Sequence, residues 1–215
     1  MDAMNAYNEL LLSGDVGRIR KLLARTDLFR RTLDVPGDIV ECGVFKGTGW
    51  MLWLKLLAIY APGSAKRVVG FDMFDQFPAG QTDQEQAAID AYVAESAFAG
   101  VTVDSLYAQA DAAGMREHAE LVAGDIAITA PAYVSKYPGL RISLLHLDLD
   151  VAAPTLSALE AFYPRVVRGG LVVFDEYAIP RWSESEAVDA YFDRHNICLQ
   201  AVPWANTPTA YFVKP

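Results

Sequence analysis

The stretch Asp38-Ile39-Val40-Glu41-Cys42-Gly43-Val44-Phe45-Lys46-Gly47-Thr48-Gly49 decides the fold. Asp38 to Val44 is a short apolar run with three β-branched residues, the texture of a strand. Glycines then interrupt it, and from Thr48 to Tyr60 the apolar residues recur at helical spacing. Arg67 to Phe71 is a second strand-like run, so strand, helix and strand follow within about 35 residues, a βαβ unit with parallel strands.

The same alternation continues outward. Strands are expected at Ala119 to Ala123, Arg141 to Leu147 and Leu171 to Phe174, with a helix from Pro154 to about Phe162, where Pro154 suits a first turn. The tail adds a helix near Ser185 to Asn196 and strands at Ile197 to Val202 and Thr209 to Val213. Seven strands interleaved with helices predict an α/β fold, a doubly wound, mainly parallel sheet with helices on both faces. In such sheets ligands bind at the carboxyl ends of the strands, beside the point where strand order reverses. Residues 1–35 read as an N-terminal helical region broken at Ser13-Gly14-Asp15. Residues 75–114 are polar and Ala-rich, with helical patterns at Asp83 to Ala97 and Asp104 to Ala113, and read as a lid or insert. The whole, 1–215, is expected to be one domain, without repeats.

Composition narrows the partners. Lys and Arg number 18 against 27 Asp and Glu, a net charge of -9, which offers no general attraction to nucleic-acid phosphates or anionic membranes. Hydrophobic residues make up 53% and charged residues 21%, which excludes a disordered chain and suits strands covered on both faces. The longest apolar stretch, Trp50 to Ala61, is short for a bilayer span and carries Lys55. MDAMNAYNEL lacks the features of a signal peptide, and Cys42 and Cys198 lie outside any metal or redox motif. A cytoplasmic protein acting on a small molecule is the expectation, with a homo-oligomer contact left open for the N-terminal helices.

The spacing after the first strand is G-x-x-x-G-x-G, neither a dinucleotide fingerprint nor a P-loop. An acid followed by Gly-x-x-x-Gly at a first strand end resembles the S-adenosylmethionine motif of class I methyltransferases. On that reading Glu41, Gly43 and Gly47 bind the cofactor. Asp72, 31 positions after Glu41, closes the second strand where an acid accepts from ribose hydroxyls. Gly124 and Asp125 follow the third strand at the same edge and would meet the adenine, although Asp125 also suits a plain turn.

The densest acidic cluster is Leu147-Asp148-Leu149-Asp150 together with Asp175-Glu176, 27 residues after Asp148. Adjacent parallel strands would bring these ends together. Converging carboxylates repel one another unless protonated or neutralised, and a hard divalent cation, Mg²⁺ first and Mn²⁺ second, resolves the repulsion. Asp148, Asp175 and Glu176 are the candidate ligands. Asp150 either backs them or caps the Pro154 helix. His146 reads as a core histidine, and Trp50, Trp53 and Tyr60 as helix packing, whereas Phe74, Phe77 and Trp182 fall in loops near the expected site.

These segments, Pro36 to Gly47, Gly70 to Phe74, Leu144 to Thr155, Leu159-Glu160, Tyr163-Pro164, Arg168-Gly169-Gly170, Asp175-Glu176-Tyr177 and Ala187-Val188-Asp189, together resemble the macrocin O-methyltransferase family. The likeness runs over about residues 30 to 213. It implies a Rossmann-like class I methyltransferase that methylates a deoxysugar hydroxyl, either on a nucleotide-linked 6-deoxyhexose or on an antibiotic glycoside. It also implies a metal on Asp148, Asp175 and Glu176, with Asp148 as general base. The chain departs from the family at Ala152 and Ala153, usually aromatic and acidic, and at Asp175-Glu176, usually two aspartates. Methylation of a catechol or other small diol is the nearest alternative. An NAD-dependent sugar-modifying enzyme and a non-catalytic nucleotide-binding module are alternatives of another class.

Overall fold

A computed structural model describes residues 2–74, 76–96, 101–193 and 195–215. Two helices lead, α1 (Ala3–Leu12) and α2 (Val16–Arg30), separated at the Ser13-Gly14-Asp15 break. The Asp15 carboxylate accepts from the backbone N–H groups of Gly17 and Arg18 and so caps α2. The core then runs β1 (Asp38–Cys42), α3 (Thr48–Tyr60), β2 (Val68–Asp72), α4 (Asp83–Ser96), α5 (Val103–Ala112), β3 (Ala119–Ala123), α6 (Ile126–Lys136), β4 (Ile142–Leu147), α7 (Ala152–Phe162), β5 (Val166–Phe174), α8 (Glu184–Phe192), β6 (Gln200–Ala201) and β7 (Ala210–Val213).

Among the described residues these strands form one sheet in the order β3-β2-β1-β4-β5-β7-β6. The first five are parallel, and β7 and β6 close the edge antiparallel. This is the expected mainly parallel sheet, covered on both faces. On one face α6, α7 and α8 pack over Val40, Val69, Leu145 and Phe174. On the other, α3 and α5 with the end of α2 pack over Ile39, Val68 and Leu144, centred on Trp50 and Trp53. Each side chain of that size withdrawn from water contributes about 1.5–3 kcal/mol, so two complete apolar layers fix the sheet firmly.

Three local readings change. The helix α6 has no counterpart in the sequence reading because Pro131 lies inside it. Pro131 is the sixth of its eleven residues and deprives the Ala127 carbonyl of its helical partner, while the helix start is capped independently by Asp125 through Ala127 N. The run expected as a strand from Ile197 to Val202 pairs only at Gln200–Ala201, and the preceding helix ends at Phe192 rather than Asn196. Of the stretch set apart at 75–114, α5 is the β2-to-β3 crossover, with Leu106 and Ala110 buried against the sheet. Helix α4 buries one residue, Ile89. Residues 75 and 97–100 of that stretch lie outside the described residues.

The topology locates the site. The chain leaves β1 toward β2 and β3, then returns to place β4 on the other side of β1. Register matches Cys42 with both Phe71 and Leu147, and Leu147 with Phe174. The ladder continues one residue further, since Gly43 N donates to Phe71 O, Asp148 N to Cys42 O and Asp175 N to Leu147 O. The residues after β1, β2, β4 and β5 therefore emerge together at one rim.

Candidate active site

At that rim opens a cavity of about 1540 Å³. Its wall includes Glu41, Gly43, Gly47, Asp72, Gly124 and Asp125 on the β1-β2-β3 side, and Asp148, Asp150 and Glu176 on the β4-β5 side. Asp175 is buried just behind it. Among the described residues four non-glycine residues adopt positive φ, Phe45 (50°), Phe74 (64°), Asp150 (65°) and Ala178 (63°). Each lies shortly after one of the four strands β1, β2, β4 and β5, so unfavourable backbone geometry is gathered around the cavity.

The glycine loop is shaped by its neighbours in the protein. Gly43 has φ +93°, and a Cβ there would come 1.8 Å from the backbone oxygen of Asp148. Gly47 has φ +82° as the residue before α3, where a Cβ would meet the Leu106 side chain at 2.3 Å. Asp72 fastens the loop from below: one carboxylate oxygen accepts from Val44 N and Phe45 N at 2.8 Å each, the other from Phe74 N at 2.7 Å. Asp125 spends one oxygen on its helix cap. Glu41 is buried, with Oε1 accepting from Trp53 Nε1 at 3.1 Å and lying 3.3 Å from His146 Nδ1. Its Oε2 has no hydrogen-bond partner among the described residues. An unmatched carboxylate oxygen at the inner wall suits a cationic or N–H-bearing ligand.

The period of two along the strands puts Glu41, His146, Asp148 and Asp175 on the same face, the one beneath α2. Two cations of α2, which the sequence reading left without a role, reach down to them. Arg25 Nη2 donates to Asp148 Oδ2 at 3.0 Å and Asp175 Oδ1 at 3.1 Å, and Nη1 lies 3.7 Å from Glu41 Oε1. Lys21 Nζ donates to Asp175 Oδ2 at 2.6 Å and lies 3.8 Å from Asp148 Oδ2. His146, fully buried, meets Asp175 Oδ1 through Nε2 at 3.1 Å. It is the core histidine expected, and it is also part of the floor beneath the site. Lys21 and Arg25 give little warning in sequence, because 123 or more positions separate them from Asp148 and Asp175.

Among the described residues Asp148 belongs to two groups whose ligand atoms lie within 4.8 Å of one another: one with Asp150 and Glu176, the other with His146 and Asp175. The expected trio Asp148, Asp175 and Glu176 is thus split between them. Asp175 is the low-pKa partner. Burial alone would push it up, but Arg25, His146 and Lys21 outweigh burial and hold it well below the usual carboxylate range. Burial and the charge of Asp175 raise Asp148. Asp150 is pushed up to about 8 by burial and by Asp148, and Glu176 to about 9 by burial and by Asp175 and Asp148. Three half-buried carboxylates in mutual repulsion, with hard oxygen donors aimed at one cavity, fit a divalent cation such as Mg²⁺ or Mn²⁺.

An aromatic cluster faces the acids. Tyr92 of α4 packs against Phe45 at 5.9 Å, Phe77 at 5.6 Å and Trp182 at 5.6 Å between ring centroids. Arg181 lies over both Tyr92 and Trp182 and pairs with Glu95 of α4 at 3.1 Å. Ser183 binds Glu85 at the other end of α4, and Lys46 Nζ donates to Ser96 O at 2.7 Å. Helix α4 is therefore tied to the loops after both β1 and β5.

Comparison with known proteins places this architecture. The sequence profile of the macrocin-O-methyltransferase (TylF) family matches residues 16–213. The 8-demethyl-8-(2,3-dimethoxy-alpha-L-rhamnosyl)-tetracenomycin-C 4'-O-methyltransferase of Streptomyces olivaceus is 28% identical over 165 residues, 76% of this chain and 60% of that protein. The mycinamicin III 3''-O-methyltransferase of Micromonospora griseorubida is 29% identical over 180 residues, 78% of this chain and 65% of that protein. The chain thus spans less than two thirds of the length of either curated relative. The apo structure of CalS11, a TDP-rhamnose 3'-O-methyltransferase of calicheamicin biosynthesis, superposes with a TM-score of 0.73 at 29% identity, covering 100% of this chain and 86% of that one.

Proposed function

Because the chain belongs to the macrocin-O-methyltransferase (TylF) family, we propose that it transfers a methyl group from S-adenosylmethionine to a hydroxyl of a deoxysugar, with a divalent cation at the acidic rim. The acceptor is a nucleotide-linked 6-deoxyhexose or the sugar of an antibiotic glycoside, in keeping with the rhamnosyl-tetracenomycin, mycinamicin III and TDP-rhamnose acceptors named for its relatives. The observation that carries the reading is the position of Asp148. Its half-buried carboxylate stands on the cavity wall one residue past β4, between the glycine loop and the acids Asp150 and Glu176.

S-Adenosylmethionine supplies, when bound, a methyl group on a sulfonium centre, and Mg²⁺ supplies a Lewis acid for the acceptor oxygen. The β1-β2-β3 wall would hold the methyl donor, with Gly43, Gly47 and Gly124 allowing close approach and Glu41, Asp72 and Asp125 offering carboxylates. Asp148 takes the proton from the attacking hydroxyl at its carboxylate oxygen. Such proton transfer typically contributes about 10²–10⁴ in rate. Asp148 and Glu176 would hold the cation, with Asp150 beside them and Asp175 available as a ligand once Lys21 leaves it. The edge-to-face cluster of Phe45, Phe77, Tyr92 and Trp182 gives an acceptor an apolar wall, and orientation by such a wall contributes on the order of 7–11 kcal/mol at best.

Calorimetry with S-adenosylmethionine and with NAD, followed by methyl transfer across a panel of nucleotide sugars and glycosides with and without chelator, tests the reading. Binding of S-adenosylmethionine alone and chelator-sensitive methylation of a sugar hydroxyl are expected. Tight NAD binding with no response to the sulfonium compound would overturn it.

A further inference from the structure

The two cations that α2 lends to the rim are held in different ways. Arg25 is 4% exposed, contacts Glu41, Asp148 and Asp175, and lies 5.7 Å from the centroid of the Trp53 ring. Its planar fork is fixed by three carboxylates, and withdrawal would leave Glu41 and Asp175 buried, and Asp148 half-buried, beside one another. Lys21, one helical turn earlier, forms its ion pairs among the described residues with Asp175 and Asp148 alone, and its side chain is 29% exposed on the cavity wall. The buried residues of α2, Ala24, Arg25, Leu28 and Phe29, all lie in its second half, while Val16, Leu22 and Leu23 of the first half are exposed. An ammonium on a flexible stem, at the loosely packed half of the helix, has a route into the cavity.

We propose that Lys21 is an exchangeable counter-ion of the metal site: its ammonium occupies on Asp148 and Asp175 the position that a divalent cation takes, so the cation enters by displacing Lys21, and Asp175 becomes a ligand only when Lys21 has left. The inference rests on the metal dependence proposed above. Electrostatics supports the exchange. Asp148, Asp175 and Glu41 carry three negative charges against the two permanent positive charges of Lys21 and Arg25, so a further divalent ion beside an undisplaced ammonium would meet strong like-charge repulsion at short range. Releasing Lys21 removes that repulsion and frees the Asp175 oxygen that it occupies.

Mn²⁺ binding, read by electron paramagnetic resonance of the free ion, tests this on the full chain without turnover. Lys21→Met and Lys21→Gln are each expected to lower the Mn²⁺ dissociation constant roughly three- to tenfold, the scale of one removed competing ion pair. Lys21→Arg keeps the competing charge. Arg20→Met removes a neighbouring exposed charge that, among the described residues, lies outside the cavity wall. Both should stay within about twofold of the unaltered chain. The Mg²⁺-induced rise in melting temperature should grow in Lys21→Met in parallel. Unchanged or weaker Mn²⁺ binding by both Lys21 variants, with binding by the unaltered chain, overturns the exchange alone. Absence of Mn²⁺ binding by every chain that still binds S-adenosylmethionine overturns the metal dependence and the exchange with it.

Discussion

Gly43 is the residue with least room for change. A methyl group there would drive into the Asp148 backbone, at a φ that side chains rarely adopt. Gly43→Ala is therefore expected to cost about 2 kcal/mol or more of stability, measured by urea denaturation, and to shift Asp148 from its place. The glycine spacing was legible in the sequence, but what it admits was not: the surface closest to Gly43 is the neighbouring strand, because β1 and β4 are adjacent only after the chain reverses. The strand-end acids were legible for the same reason that they converge, since each follows an apolar run whose end is the sheet edge. Asp148→Asn should lower kcat by about 10²–10⁴, whereas Asp150→Asn should lower it far less, in steady-state assays at saturating Mg²⁺. Equal and mild losses would remove Asp148 from its role as base.

Among the elements, α2 departs most from what its sequence suggests. Its Leu residues announce an apolar helix, yet beside Leu28 and Phe29 it also buries Arg25, set among Glu41, Asp148 and Asp175. Nothing in the periodicity ties this arginine to acids 123 and 150 positions away. Arg25→Met leaves three carboxylates without their shared partner and should destabilise the fold by about 3–5 kcal/mol, the usual cost of breaking a buried ion pair from one side. The midpoint of chemical denaturation measures it, and a loss below about 1 kcal/mol would show the pairing to be dispensable. Helix α6 went unread for a local reason, Pro131, while α3 and β3 were read to their ends because glycine and capping signals bracket an uninterrupted pattern.

Across the whole molecule, the parallel sheet was legible because its central strands are almost continuously apolar, β4 being buried at every position. The same burial makes stability depend on pH. Asp150 and Glu176 have folded pKa values raised to about 8 and about 9. The support they give is fullest below their unfolded values near pH 4 and is lost as pH rises through the folded ones. Asp175, held low, acts in the opposite sense: its support is present above about pH 4 and is lost in acid. The metal-free chain should therefore melt at progressively lower temperature between about pH 6 and about pH 9, and Mg²⁺ should raise the melting temperature more at the upper end. Differential scanning calorimetry checks this, and a flat profile in both conditions would contradict it. Helix α4 adds a consequence of another kind. It is gripped by Lys46 from the loop after β1 and by Arg181 from the loop after β5, and a rigid helix cannot leave one loop while staying seated on the other. The two grips on α4 therefore loosen or hold as one.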